Sequence, residues 1–541
     1  MPVRSMANPM KTTKSAFLCA LLGAFLYPAG IVFAQPSPPT ASSRLAALSK
    51  AVQAKPADPA GQDEWSNAQL YLRKAKFLLS AYAPSEGRDA AVSRELGNAE
   101  EALSRVQMGR LAPRIGGLRE EGYYSDNDAS FQPFLRYLPA GTGSGKKLPL
   151  LVFLHGYNPA WNLVNWQIFP TNLVTFAEEA GFAVAAPFGR GNTDYQGIGE
   201  QDVLAVIGEM RKRYAVDEDR IVLAGYSMGG LGAWTLGAHD PDRFAGLLII
   251  SGRGDYYTWH KVNRAEVPVY RQRLVDADFA GSLVPNLRAL PILCAHGAKD
   301  ELVPVDEARF MVEAVKKVNP GLVYIELPEG GHAIWDEVMG SPKVQEWLRQ
   351  CRRKPDRDSR LSGTNTSPRA WGSVRDAFLS PFVFILAGKP EVASHGRLFK
   401  QAVADWYQYS KALPRVAPES GIKPEMLAAF NLFLFGEPEN SALIRKALAD
   451  SPVTVTAEAF VVGKKSFPRK GNGLYLARKS PWNPAKQVVV QCGALWGEAL
   501  PENHKYDGLP GFIVYADTSD KDGFNAALAA GFFDEQGQIA E

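Results

Sequence analysis

The chain has 541 residues, of which 46% are hydrophobic and 22% charged, with a formal net charge of +3. That length exceeds what one compact core accommodates and implies two or three domains. Residues 1–34 hold Arg4, Lys11 and Lys14 and no acid, so the rest of the chain sums to 3 − 3 = 0. A neutral body lacks the electrostatic footprint of a nucleic-acid binder.

Residues 1–34 read as a secretory signal. A basic start precedes an apolar run from Ala16 to Phe33, which ends in Val32-Phe33-Ala34, a cleavage site before Gln35. Met10 offers a more compact start. An uncleaved anchor is the alternative, and Pro28 and Gly30 favour cleavage. Cys19 lacks the small residues before it that lipoprotein attachment uses. No other run is long and apolar enough to span a bilayer, so the expectation is a soluble, secreted or periplasmic protein with no membrane contact after cleavage. Cys294, Cys351 and Cys492 then remain, an odd number with no close pair. That spacing suggests neither a disulfide scaffold nor zinc.

Residues 35–120 begin with a leader rich in Pro, Ser and Ala and continue as a helical unit. Ala68, Leu72, Ala75 and Leu79 form one apolar face; Leu96, Ala99, Leu103 and Val106 form another. From residue 121 the pattern changes. Strand-like runs fall at 131–139, 148–155, 182–187, 220–224, 246–250, 291–295 and 323–327, with helices such as 202–214 and 306–318 between them. Strands alternating with helices predict an α/β fold, a mostly parallel sheet with helices on both faces, over residues 121–350. Residues 351–371 read as a charged, then Gly/Ser/Thr-rich, linker. Residues 372–541 read as a second α/β-like domain, with strand-like runs at 382–386, 430–435, 487–490 and 512–515 and helices at 398–409 and 442–449.

The stretch with chemical content is Gly225-Tyr226-Ser227-Met228-Gly229-Gly230. An apolar strand precedes it, and a helix bearing Leu231, Trp234 and Ala238 at helical spacing follows. A serine between glycines at a strand-to-helix turn predicts a nucleophile elbow, because so tight a turn leaves no room for neighbouring side chains. The alternative is an ordinary turn whose serine caps the helix.

A serine hydroxyl needs an imidazole to take its proton and a carboxylate to orient that imidazole. His332, in a Gly-rich loop behind a strand, is the predicted base. Asp300, in the loop after the strand at 291–295, is the predicted acid, with Glu301 and Asp306 as alternatives. His296 is expected to shape its turn, His239 to meet helix carbonyls, His155 to brace its loop and His260 to belong to a lid. The backbone N–H groups of Met228 and Tyr157 are the predicted oxyanion donors, with Gly156 as the alternative to Tyr157. Trp161, Trp166, Tyr256, Tyr257 and Trp259 are candidate substrate contacts, or else pack a lid. The mechanism requires no metal and no cofactor.

With Leu154-His155-Gly156, the Ser227 elbow, His296-Gly297-Ala298-Lys299-Asp300 and Gly330-Gly331-His332 in order, residues 121–349 resemble the α/β-hydrolase superfamily. The similarity is to its secreted esterase and prolyl-oligopeptidase-like branch, which includes feruloyl esterases, acetylxylan esterases and predicted peptidases. The resemblance implies a triad of Ser227, Asp300 and His332. Residues 371–378 and 431–440 resemble a C-terminal α/β module appended to some of these hydrolases. The helical N-terminal unit departs from the β-propeller of prolyl oligopeptidases. The expected function is therefore a secreted serine carboxylesterase acting on a small or polymer-linked ester. A serine peptidase with the same triad and a non-enzymatic binding protein are the alternatives.

Overall fold

The structure is a computed structural model that describes residues 40–108, 116–142, 145–166, 169–353, 372–388 and 393–540. The expected signal segment, Trp371 and nearly all of the expected linker lie outside the described residues. The chain divides into two compact units, residues 1–113 with 121–123, and residues 114–120 with 124–541.

The first unit holds three helices, α1 (Ala41–Ala51), α2 (Pro59–Ala81) and α3 (Glu86–Gln107). Each starts where a short polar side chain satisfies an orphan N–H: Thr40 accepts from Ser43, Asp58 from Gly61 and Ser85 from Arg88. Ala68, Leu72 and Ala75 on α2 are buried, as are Leu96, Ala99 and Leu103 on α3. Lys74 lies 3.6 Å from Glu95, and Arg105 lies 3.3 Å from Glu64. One partner rises in number as the other falls, so α2 and α3 run antiparallel.

An eight-stranded sheet, drawn from the second unit apart from residues 121–123 of its first strand, has the order β1-β2-β4-β3-β5-β6-β7-β8. Its strands are β1 (Gly117–Ser125), β2 (Ser130–Leu138), β3 (Leu148–Leu154), β4 (Ala183–Pro187), β5 (Val216–Tyr226), β6 (Gly246–Ile250), β7 (Ile292–Gly297) and β8 (Val323–Leu327). Strand β2 pairs antiparallel with β4, and β3 to β8 run parallel. The α/β arrangement expected from the sequence is the one observed. β4 and β6 are buried along their whole length because helices cover both faces. β5 begins at Val216, four residues before the expected start, because Val216 already pairs with Leu148 across a register shift.

A second sheet of seven strands follows in the order β10-β9-β11-β16-β15-β17-β18, while β12 (Val453–Val455), β13 (Ala459–Val462) and β14 (Lys465–Pro468) form a small three-stranded sheet. Strands β9 (Phe382–Leu386), β10 (Val416–Pro418), β11 (Asn431–Phe435) and β16 (Asn483–Gly493) are parallel. Strands β15 (Asn472–Ser480), β17 (Phe512–Ser519) and β18 (Asn525–Gly531) extend the sheet in antiparallel fashion. Neither β15 nor β18 is legible in the sequence. Asn525–Gly531 reads Asn-Ala-Ala-Leu-Ala-Ala-Gly, which favours helix, and pairing with β17 overrides that preference. The seven-stranded sheet also meets the turn between β1 and β2 directly: Phe382 N–H donates to Asn127 O at 3.0 Å, and Arg415 donates to Asp126 O and Asn127 O.

The loop after β4 is pinned by a buried ion network. Arg190, 1% exposed, lies 2.7 Å from Asp128 and 3.2 Å from Asp202, and it donates to Ser125 at 2.8 Å. Removing the cation strands two buried carboxylates. Arg190→Leu is expected to lower stability by about 3–5 kcal/mol, read as a shift in the chemical unfolding midpoint.

Candidate active site

The site forms where β5 turns into helix α4 (Met228–His239). Ser227 sits at the turn with φ 56° and ψ −115°, a left-handed conformation that an L-residue holds only under constraint. Three glycines supply that constraint. A Cβ on Gly225 would lie 1.9 Å from Gly229 O, one on Gly229 would lie 2.0 Å from Leu154 O, and one on Gly230 would lie 2.7 Å from Gly252 Cα. Backbone packs on backbone at each point, and Ser227 N–H closes the turn by donating to Ile250 O at 2.9 Å.

Ser227, His332 and Asp300, drawn from distant parts of the sequence, lie in a row. His332 Nε2 is 2.9 Å from Ser227 Oγ, and His332 Nδ1 is 2.8 Å from Asp300 Oδ2. The Asp300 side chain is fully buried. Its Oδ1 accepts from Leu302 N–H at 2.9 Å and Val303 N–H at 2.8 Å, which fixes the carboxylate before the imidazole arrives. His296 stands 3.2 Å from Asp300 Oδ2 and 2.8 Å from Val303 O, so it braces the same loop. Burial pushes the His296 imidazole down from its ordinary range, which keeps a neutral ring beside Asp300.

Two residues that sequence reading missed hold His332 from behind. Ser251 Oγ donates to His332 O at 2.9 Å, and Tyr226 OH donates to the same oxygen at 3.3 Å. Ser251 directly follows β6, 81 positions from its partner, and no local pattern signals the contact.

The loop after β3 lies against the serine. A Cβ on Gly156 would meet Ser227 Cβ at 3.3 Å. Among the described residues the N–H groups of Tyr157 and Met228 have no acceptor. His155 underpins this loop: its ring nitrogens lie 3.0 Å from Gly156 O and 3.0 Å from Phe188 O, and Trp161 packs edge-on at 4.2 Å. The His155 N–H donates to Tyr195 OH at 2.8 Å. A cleft of about 490 Å³ opens beside the serine, lined by Tyr157, Trp161, Phe169, Tyr226, Ala333 and Trp335 among others.

The remaining candidates scatter. Trp166 is 1% exposed and packs on Phe188, away from the cleft lining. Tyr257 approaches Asp276 at 3.4 Å, and the Trp259 ring lies 4.5 Å under Arg253. Tyr256 lines a different cavity, together with His260. His239 was expected to meet carbonyls of its own helix. It instead faces Glu200 at 3.0 Å and Ala277 O at 2.9 Å, because a buried carboxylate on the neighbouring helix is the stronger partner. Among the described residues no cluster of His, Cys, Asp and Glu could hold a metal ion.

Complete burial pushes His155 from 6.5 down to about 4. The unfolded chain therefore binds this proton at a higher pH than the folded one, so stability is full above about pH 6.5 and falls as pH drops toward 4. The slope of unfolding free energy against pH in that window is expected to be shallower for His155→Asn, by about 3 kcal/mol in total.

Residues 168–353 match the family model of the prolyl oligopeptidase family. An "Uncharacterized secreted protein" of Arthroderma benhamiae is 26% identical over 39% of this chain and 24% of its own length. Dipeptidyl-peptidase 5 of Porphyromonas gingivalis is 32% identical over 21% of this chain and 18% of its own length. The bifunctional acetylxylan esterase/xylanase XynS20E of Neocallimastix patriciarum is 34% identical over 19% of this chain and 16% of its own length. The chain thus spans a quarter or less of each of these relatives. The family match falls on the segment that bears the elbow, the parallel strands β5 to β8 and the Ser227–His332 pair. The segment that is similar to the prolyl oligopeptidase family is thus the one that carries the parallel strands and the Ser227–His332–Asp300 row.

Proposed function

We propose that this protein is a secreted carboxylesterase. The observation that carries the reading is the Ser227–His332–Asp300 row, with its 2.9 Å and 2.8 Å links, next to an aromatic-lined cleft whose wall includes the chain neighbours Tyr226 and Ala333. Ser227 Oγ attacks the ester carbonyl while His332 Nε2 takes its proton. Asp300 holds the ring in the tautomer that leaves Nε2 free and stabilises the imidazolium that forms. The tetrahedral oxyanion accepts from Tyr157 and Met228 N–H. Collapse expels the alcohol, protonated by His332, and water then repeats the sequence on the acyl-enzyme. Trp161, Phe169 and Trp335 favour an apolar or aryl group on the substrate. The similarity to an acetylxylan esterase supports an ester substrate, and the basic, apolar leader and the secreted relative support export. The chemistry proposed needs no metal or cofactor.

Peptide hydrolysis is the second reading, favoured by the family match and by the similarity to a dipeptidyl-peptidase. One experiment separates the two. The protein expressed from Gln35 is assayed on p-nitrophenyl acetate and on a panel of peptide p-nitroanilides, beside Ser227→Ala. The ester reading expects ester turnover well above peptide turnover and a loss of about a thousandfold or more in the variant. Peptide cleavage without ester preference shifts the assignment to a peptidase, and equal rates for the two proteins remove Ser227 from the chemistry. Asp300→Asn is expected to lower kcat by about 10⁴-fold while KM changes little, because the ring takes the wrong tautomer.

A further inference from the structure

The loop after β6 and the C-terminal region meet around a second cavity, of about 220 Å³. Arg253, Tyr256, Arg271 and Phe279 line it from the hydrolase side, and Arg375, His504, Asp507 and Phe524 from the C-terminal side. Most of its charge is matched within the protein. Arg253 lies 2.8 Å from Asp194, Arg375 pairs with Asp278, and His504 lies 2.6 Å from Asp507.

Arg271 differs. Its one carboxylate within 4 Å among the described residues is Asp520, at 3.9 Å, although the side chain is only 12% exposed. Asp522, also on the rim, is exposed and screened by solvent. The Arg271 guanidinium lies 4.0 Å from the centre of the Phe524 ring and 6.0 Å from that of Tyr270. Cation–π attraction offsets only part of the cost of burying a charge. Among the described residues the Nε atoms of Arg253 and Arg271 and the amide nitrogen of Gln196 also have no acceptor, and all three residues line this one cavity. Buried donors of that kind are rare in native structures and mark a place where an acceptor belongs.

We propose that this cavity is a binding site for a small carboxylate. The guanidinium of Arg271 takes the carboxylate oxygens, and Tyr256, Phe279 and Phe524 hold the carbon frame. The site lies on the same rim of the sheet as the serine: Arg253 follows Gly252, which packs on Gly230 behind the elbow, and Ser251 holds His332. A sugar acid and an aryl acid both present this chemistry.

The test uses the full chain carrying Ser227→Ala, so that binding is read whether or not the serine is the nucleophile. D-glucuronate and benzoate are titrated calorimetrically, beside their uncharged counterparts methyl β-D-glucopyranoside and benzyl alcohol. At least one carboxylate is expected to bind, more weakly as salt is raised, while the uncharged compounds do not. Its Kd is expected to rise about tenfold or more in Arg271→Gln and to recover in large part in Arg271→Lys. Binding of D-glucuronate alone assigns a sugar acid, and of benzoate alone an aryl acid. The proposal is overturned if neither carboxylate binds, if the uncharged compounds bind equally well, or if affinity ignores both salt and Arg271→Gln. Matching thermal unfolding midpoints check that each variant is folded, and the salt dependence decides the matter should Arg271→Gln not fold.

Discussion

The site depends on backbone meeting backbone at the elbow. Gly225, Gly229 and Gly230 let β5, β3 and the loop after β6 approach to distances at which any side chain would collide. That closeness holds Ser227 at φ 56°, in a conformation a free chain would leave. Hydrogen bonding in the parallel sheet and burial of the helix behind it maintain the strain. In return the serine hydroxyl is presented at the carboxyl end of β5, where loops from neighbouring strands converge.

Around that fixed point the other parts are held by many weak constraints rather than by one strong one. Asp300 is oriented by two backbone N–H donors and braced by His296, and His332 is tethered through its own carbonyl by Ser251 and Tyr226. The imidazole thus meets its partners with little freedom left to lose. His155 acts similarly one layer out, as a buried ring that spans two carbonyls, one in the loop after β3 and one in the loop after β4.

The C-terminal region is not an independent appendage in this architecture. Its first strand hydrogen-bonds to the β1–β2 turn, Arg375 pairs with Asp278, and Lys411, 3.5 Å from Glu502, shares a cavity with Tyr157 and Asn192 of the hydrolase region. Two cavities, one beside Tyr157 in the loop after β3 and one around Arg271, take walls from both regions. Substitutions at this seam can therefore reach Ser227 through Tyr157 or the loop after β6, without touching Ser227, His332 or Asp300.

Periodicity exposed the parallel strands β3 to β8 and helices α2 and α3, because buried parallel strands are continuous apolar runs and amphipathic helices carry a stripe. Ser227, Asp300 and His332 were legible because each sits in a glycine-marked turn at a strand end, where sequence and chemistry coincide. The sequence by itself thus determined the α/β order of the hydrolase region and the residues that sit at its loop ends. Tertiary structure alone decided the strand state of Asn525–Gly531, the bonds from Ser251 and Tyr226 to His332, the burial of Trp166 away from the cleft, and the cavity around Arg271. The reason is one of range. Turn chemistry and periodicity act over a few residues, whereas these features arise from contacts between positions tens to hundreds of residues apart, which no local pattern encodes.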